Sequence, residues 1–126
     1  MGLSEAEVGA AVAVSDMERA KEFYEGKLGL TGGRETGDGG HTYPCGGGTE
    51  IHVFPSAGAG KSESTIAGFT VPDIEATVDE LAANGVGFEQ YGEPLNTNQK
   101  GIADLGEAKG AWMKDPDGNV LALTQN

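Results

Sequence analysis

The chain has 126 residues, 22 of them glycine, and 20 acidic side chains against 8 basic ones leave a formal net charge of −12. Such a chain should bury roughly two-thirds of its unfolded surface in one core, while an acidic surface repels phosphate backbones and anionic lipid, so neither nucleic acid nor membrane is an expected partner. No apolar run approaches the about 20 residues of a membrane helix and no signal-like series is read at the start; the single cysteine, Cys45, suits a reducing cytoplasm.

In chain order, Val8, Ala10, Val12 and Val14 alternate on one face of a strand, with Gly9, Ala11 and Ala13 on the other. Asp16 then caps a helix whose inward face is Met17, Ala20, Tyr24 and Leu28, and Gly29 ends it. Extended pieces follow over Leu30–Glu35, His41–Cys45 and Thr49–Phe54. The pattern then starts again. Ala67, Phe69 and Val71 point one way and Ile66, Gly68 and Thr70 the other; Asp73 caps a helix with the stripe Ile74, Val78, Leu81 and Ala82, which Asn84-Gly85 stops. Extended segments are predicted over Val86–Tyr91, Ala108–Lys114 and Asn119–Thr124, while Gly92–Gly106 is read as an irregular loop or lid. The two phrases A-A-V-A-V-S-D-M-E-R-A-K-E-F-Y (Ala10–Tyr24) and A-G-F-T-V-P-D-I-E-A-T-V-D-E-L (Ala67–Leu81) therefore mark one unit used twice, with a ligand site expected between the copies.

The predicted class is α+β: two β-α-β-β-β modules forming a curved sheet around a concave pocket, with helices on the convex side. Module one spans about 7–55, a linker rich in Ser, Gly and Ala covers about 56–64, and module two spans about 65–126, all within a single domain. The face turned from the helices is mixed, with Gly, Ala and Thr on the leading strands and then Glu50, His52 and Phe54, which suggests a hollow.

The run V-S-D-M-E-R-A-K-E-F-Y-E-G-K-L-G-L (Val14–Leu30) and the ending W-M-K-D-P-D-G-N-V-L-A-L (Trp112–Leu123) resemble the vicinal oxygen chelate superfamily, which holds glyoxalase I, extradiol dioxygenases, and fosfomycin- and bleomycin-resistance proteins. The resemblance implies metal ligands on the concave face, one from each of four strands, and commonly a homodimer. Carried over by position, the leading-strand ligand falls on Gly9, its counterpart in the second unit on Ile66, and the closing ligand on Ala122; only the position closing the first unit keeps a donor, His52. Gly, Ile and Ala offer no lone pair to a cation, and a catalytic metal needs about three protein ligands. No metal and no cofactor are expected.

The expected function is thus a metal-independent protein that sequesters an aromatic or hydrophobic natural product or metabolite, as the bleomycin-resistance branch implies. The alternatives are a glyoxalase-like lyase or isomerase, a metal-free catalyst using His52 and Glu50, and a scaffold with a vestigial cavity. Trp112 is read as facing the hollow, with Phe54, Tyr43, His41 and Tyr91 as candidate wall residues. Three roles stand open for His52: a satisfied polar group on the sheet, a ligand-orienting hydrogen-bond group, or a general base. Gly46–Gly48 is read as a turn, and Cys45 as a small buried residue rather than a nucleophile.

Overall fold

A computed structural model describes residues 2–126. Two α+β units follow each other. The first runs β1 (Ala10–Val14), α1 (Met17–Lys21), β2 (Arg34–Glu35), β3 (His41–Pro44) and β4 (Glu50–Pro55). The second runs β5 (Thr65–Thr70), α2 (Ile74–Ala83), β6 (Ile102–Asp104), β7 (Lys109–Lys114) and β8 (Val120–Gln125). Each unit folds its strands into one four-stranded sheet, ordered β1-β4-β3-β2 and β5-β8-β7-β6. The first and last strands of each unit pair parallel and the rest antiparallel, so the repeat seen in the sequence is a repeat of topology. In place of one curved sheet there are two separate, open ones, with β1 and β5 as their facing edges.

Both helices begin where the capping aspartates sit. Asp16 accepts hydrogen bonds from the amides of Glu18 and Arg19, and Asp73 from that of Ala76, satisfying donors that a helix start leaves unpaired. After Lys21 the first helix widens into a π turn over Glu22–Lys27. The wider turn changes which side chains point inward. Ala20, Phe23 and Tyr24 are buried, whereas Leu28 is only half-buried, a departure from the predicted 3.6-residue face.

The helix-facing sides of both sheets share one core, in which Val12, Val14, Ile51 and Val53 of the first unit join Ile74, Leu81, Met113, Leu121 and Leu123 of the second. The units are also clasped by polar bonds around the Asp115–Asn119 turn. Tyr24 donates its hydroxyl to Asp115 (2.8 Å), Ser15 bonds Asp117 through both its amide and hydroxyl, and Asn119 donates to the carbonyl of Ala13 (2.8 Å). Burial, reinforced by the carboxylate of Asp115, raises the Tyr24 phenol far above its ordinary pKa, so it stays a donor.

Five readings of the sequence differ from the structure. Leu30–Glu35 forms a ladder only at Arg34–Glu35. Val86–Tyr91 forms no strand: Val86 is core and Phe88 makes a single bridge to Met113. The strand edging the second sheet is instead β6, inside the segment read as a loop, where Gly101 and Gly106 flank it with left-handed backbone (φ 86° and 88°). Val8, read as a strand residue, lies before β1 with its side chain 84% exposed. Finally, a register shift between Thr65 and Ala67 takes Ile66 out of the regular alternation of β5.

Candidate functional site

The sheet faces turned away from the core are where a ligand can be met. On the first unit the register aligns Ala11, His52, Thr42 and Arg34 in one cross-strand row. On the second, Gly68, Ala122 and Trp112 form the matching row. Between the rows, at the seam of the β1 and β5 edges, lies a hollow of about 550 Å³. Its walls come from Val8–Ala10, Cys45, Gly46, Thr49–Ile51 and Ile66–Thr70. Gly9 and Ile66 therefore share one cavity, and Ala122 sits beside it as the register partner of Gly68.

His52 is held on both sides. Its Nε2 lies 2.7 Å from Asp38 Oδ2 and its Nδ1 lies 2.8 Å from Thr42 Oγ1. In the neutral ring, Nε2–H donates to the carboxylate and the threonine hydroxyl donates to Nδ1. Asp38 comes from the turn between β2 and β3. There its other oxygen accepts from the Thr36 hydroxyl (2.6 Å) and the Gly40 amide (2.9 Å). These bonds, Thr36 first and then His52, hold the Asp38 carboxyl well below the usual carboxylate range. The turn approaches β4 so closely that a Cβ at Gly40 would stand 2.3 Å from the Val53 carbonyl oxygen, which restricts that position to glycine. Phe54 stacks beside the imidazole, with centroids 5.5 Å apart and planes 9° from parallel.

Glu50, at the wall of the hollow, pairs with Arg34 (2.8 Å), and that bond keeps its carboxyl ionised to lower pH than an unpaired one. Both side chains are exposed. Glu50 and His52 are consequently engaged by different partners, and no hydrogen bond joins them as an acid/base pair. Trp112 is half-buried on the open face of β7, where Tyr91 meets it edge-on at 5.6 Å and 81°.

Two predicted wall residues lie elsewhere. Tyr43 is 1% exposed and donates its hydroxyl to Glu25 of the first helix (2.7 Å), and burial together with that carboxylate raises its pKa. It faces the core because β3 pairs Tyr43 with Ile51, an inward position. His41 stacks on Tyr43 at 6.0 Å from the same side of the strand, and its buried Nδ1 has no hydrogen-bond partner. His52, Phe54, Trp112 and Tyr91 are not among the wall residues of the hollow, and Glu50 is the predicted residue that lines it. Asp38, Thr42 and Arg34 were missed. Only the hairpin register, which the sequence does not disclose, brings them to His52.

The family model of the Glyoxalase/Bleomycin resistance protein/Dioxygenase superfamily matches residues 8–123. The chain belongs to that superfamily. No curated protein sequence matches it. Among solved structures, it is similar to a glyoxalase/bleomycin resistance protein/dioxygenase from Alicyclobacillus acidocaldarius (19% identity, 99% of this chain and 94% of that one, TM-score 0.72). It is also similar to TnmS3, an antibiotic binding protein from Streptomyces sp. CB03234 (24% identity, 95% and 97% covered, TM-score 0.65). A third is the fosfomycin resistance protein FosX from Listeria monocytogenes (12% identity, 97% and 93% covered, TM-score 0.69). At these identities the likeness is one of fold.

The donor set does not fit the metal site that the superfamily implies. Three of the four positions, Gly9, Ile66 and Ala122, carry no donor atom, and both nitrogens of His52 are engaged by neighbours. Among the described residues, no three His, Cys, Asp or Glu side chains converge. No described helix is long and apolar enough to cross a membrane.

Proposed function

We propose that this superfamily member is a metal-independent binding protein. It sequesters an aromatic or hydrophobic small molecule, a natural product or metabolite, as a cytoplasmic homodimer. The observation that carries the reading is the engagement of His52. The one imidazole left at a ligand position has Nε2 2.7 Å from Asp38 Oδ2 and Nδ1 2.8 Å from Thr42 Oγ1, so a cation or a substrate proton would have to displace one of these partners. With Glu50 paired to Arg34, neither residue of the supposed acid/base couple is free to act as one. The chemistry left to the hollow is shape and apolar contact, supplied by Ile66 and Phe69 around small residues such as Gly9 and Gly68, while Trp112 with Tyr91 offers an aromatic surface on the open face of β7, outside those walls. That a neighbour of the same fold is described as an antibiotic binding protein agrees with this reading.

The two sheets are open, so one chain covers its guest from one side only; a second copy over the same faces completes the enclosure. Elemental analysis of protein purified without chelator, together with light scattering after gel filtration, tests the reading. A trace of metal and a dimer mass are expected. One equivalent of zinc, nickel, manganese or iron per chain overturns it.

A further inference from the structure

We infer that Gly110 is a specificity-determining residue, because the missing side chain there lets the Trp112 indole lie flat on the sheet and offer its face to a planar guest. The inference rests on the binding role proposed above. Gly110 and Trp112 are two apart on β7 and so share the open face. A Cβ built on Gly110 would stand 3.1 Å from Cη2 and 3.3 Å from Cζ2 of Trp112, tighter than ordinary van der Waals contact. The six-membered end of the indole therefore lies over the Gly110 backbone. From other sides Tyr91 meets the ring edge-on at 5.6 Å, and Leu105, itself 49% exposed, reaches to 3.6 Å from the same Cβ position. The indole is thus bracketed by Tyr91 and Leu105 and seated on a gap one methyl group deep. On the β8 side the register partner of Trp112 is Ala122, too small to cover the ring.

The predicted occupant is a flat aromatic ring system, preferably cationic given the net charge of −12. A side chain at position 110 tips the indole outward, turning a face into an edge. Gly110 itself has ordinary negative-φ backbone geometry, so alanine there leaves the strand intact.

Proflavine, a planar tricyclic cation, serves as the probe. Its binding is followed by fluorescence anisotropy of the dye, and the orientation of the single tryptophan by near-UV circular dichroism. Gly110→Ala is expected to keep the wild-type Tm, alter the tryptophan band, and weaken proflavine about fivefold, the scale of one lost stacking contact. Tyr91→Ala, which removes the bracket from the other side, is expected to change both readouts in the same direction, and stands in should Gly110→Ala fold poorly. An unchanged tryptophan band in a folded Gly110→Ala protein overturns the inference, and so does a changed band with unchanged proflavine affinity. Wild-type protein that does not bind proflavine or any other planar dye overturns the binding role and the inference together.

Discussion

Replacing Asp115 with alanine removes the centre of the clasp between the two units. The carboxylate is 5% exposed and accepts four hydrogen bonds, from the Tyr24 hydroxyl (2.8 Å), the amides of Asp117 (3.0 Å) and Asn119 (2.8 Å), and Asn119 Nδ2 (2.8 Å). Tyr24 is fully buried, so its hydroxyl has no water to turn to. Leaving a buried donor unpaired costs about 1–3 kcal/mol. Four donors cannot simply be added, since neighbours in one network relax together, and a loss of about 4 kcal/mol is expected. Tyr24→Phe deletes one donor and leaves the other three in place, for about 1.5 kcal/mol. Urea unfolding followed both by Trp112 fluorescence and by far-UV circular dichroism measures each variant. Because the units share a core, the two probes should move together in both proteins. A loss below about 1 kcal/mol for Asp115→Ala, or equal losses for the two variants, would refute the reasoning.

Two further predictions concern the turns. Gly60 has φ 68° and a Cβ there would stand 2.0 Å from the carbonyl oxygen of Asp117, so Gly60→Ala should destabilise by about 2 kcal/mol or more in the same urea assay, without altering metal content. The depressed pKa of Asp38 gives the second its sign: the folded carboxyl ionises more readily than the unfolded one, so its contribution is complete above the unfolded pKa of about 3.9 and is lost as pH falls below it. Asp38→Asn should therefore flatten the decline of stability below about pH 4, as read from thermal unfolding across a pH series; an unchanged acid limb would count against the bonds from Thr36, His52 and Gly40 as the cause of the shift.

The alternation of Val12 and Val14, the caps Asp16 and Asp73, and the stripe Ile74, Val78 and Leu81 were legible because each rests on local chemistry within one element. What failed depends on neighbours. Val86 and Phe88 alternate like a strand, yet their backbone meets β7 only at the Phe88–Met113 bridge, because β6 takes the adjoining stretch Lys109–Ala111 of that edge. The π turn is likewise invisible in sequence: Ala20, Phe23 and Tyr24 keep the ordinary helical face, and only Leu28, beyond the widened turn, departs from it. At the site, the parity of Glu50, His52 and Phe54 was readable along one strand. That Tyr43 faces inward while Thr42 faces His52 follows from the β3–β4 register, a long-range fact.

The Asp115 clasp and the common core bear on which parts of the molecule can move. Units tied at Tyr24, Ser15 and Asn119 do not swing apart like jaws, so the walls of the hollow on β1 and β5 keep their spacing. What can loosen lies at the outer borders, where Arg34–Glu35 and Ile102–Asp104 are the shortest strands of their sheets and the fewest ladder bonds resist fraying.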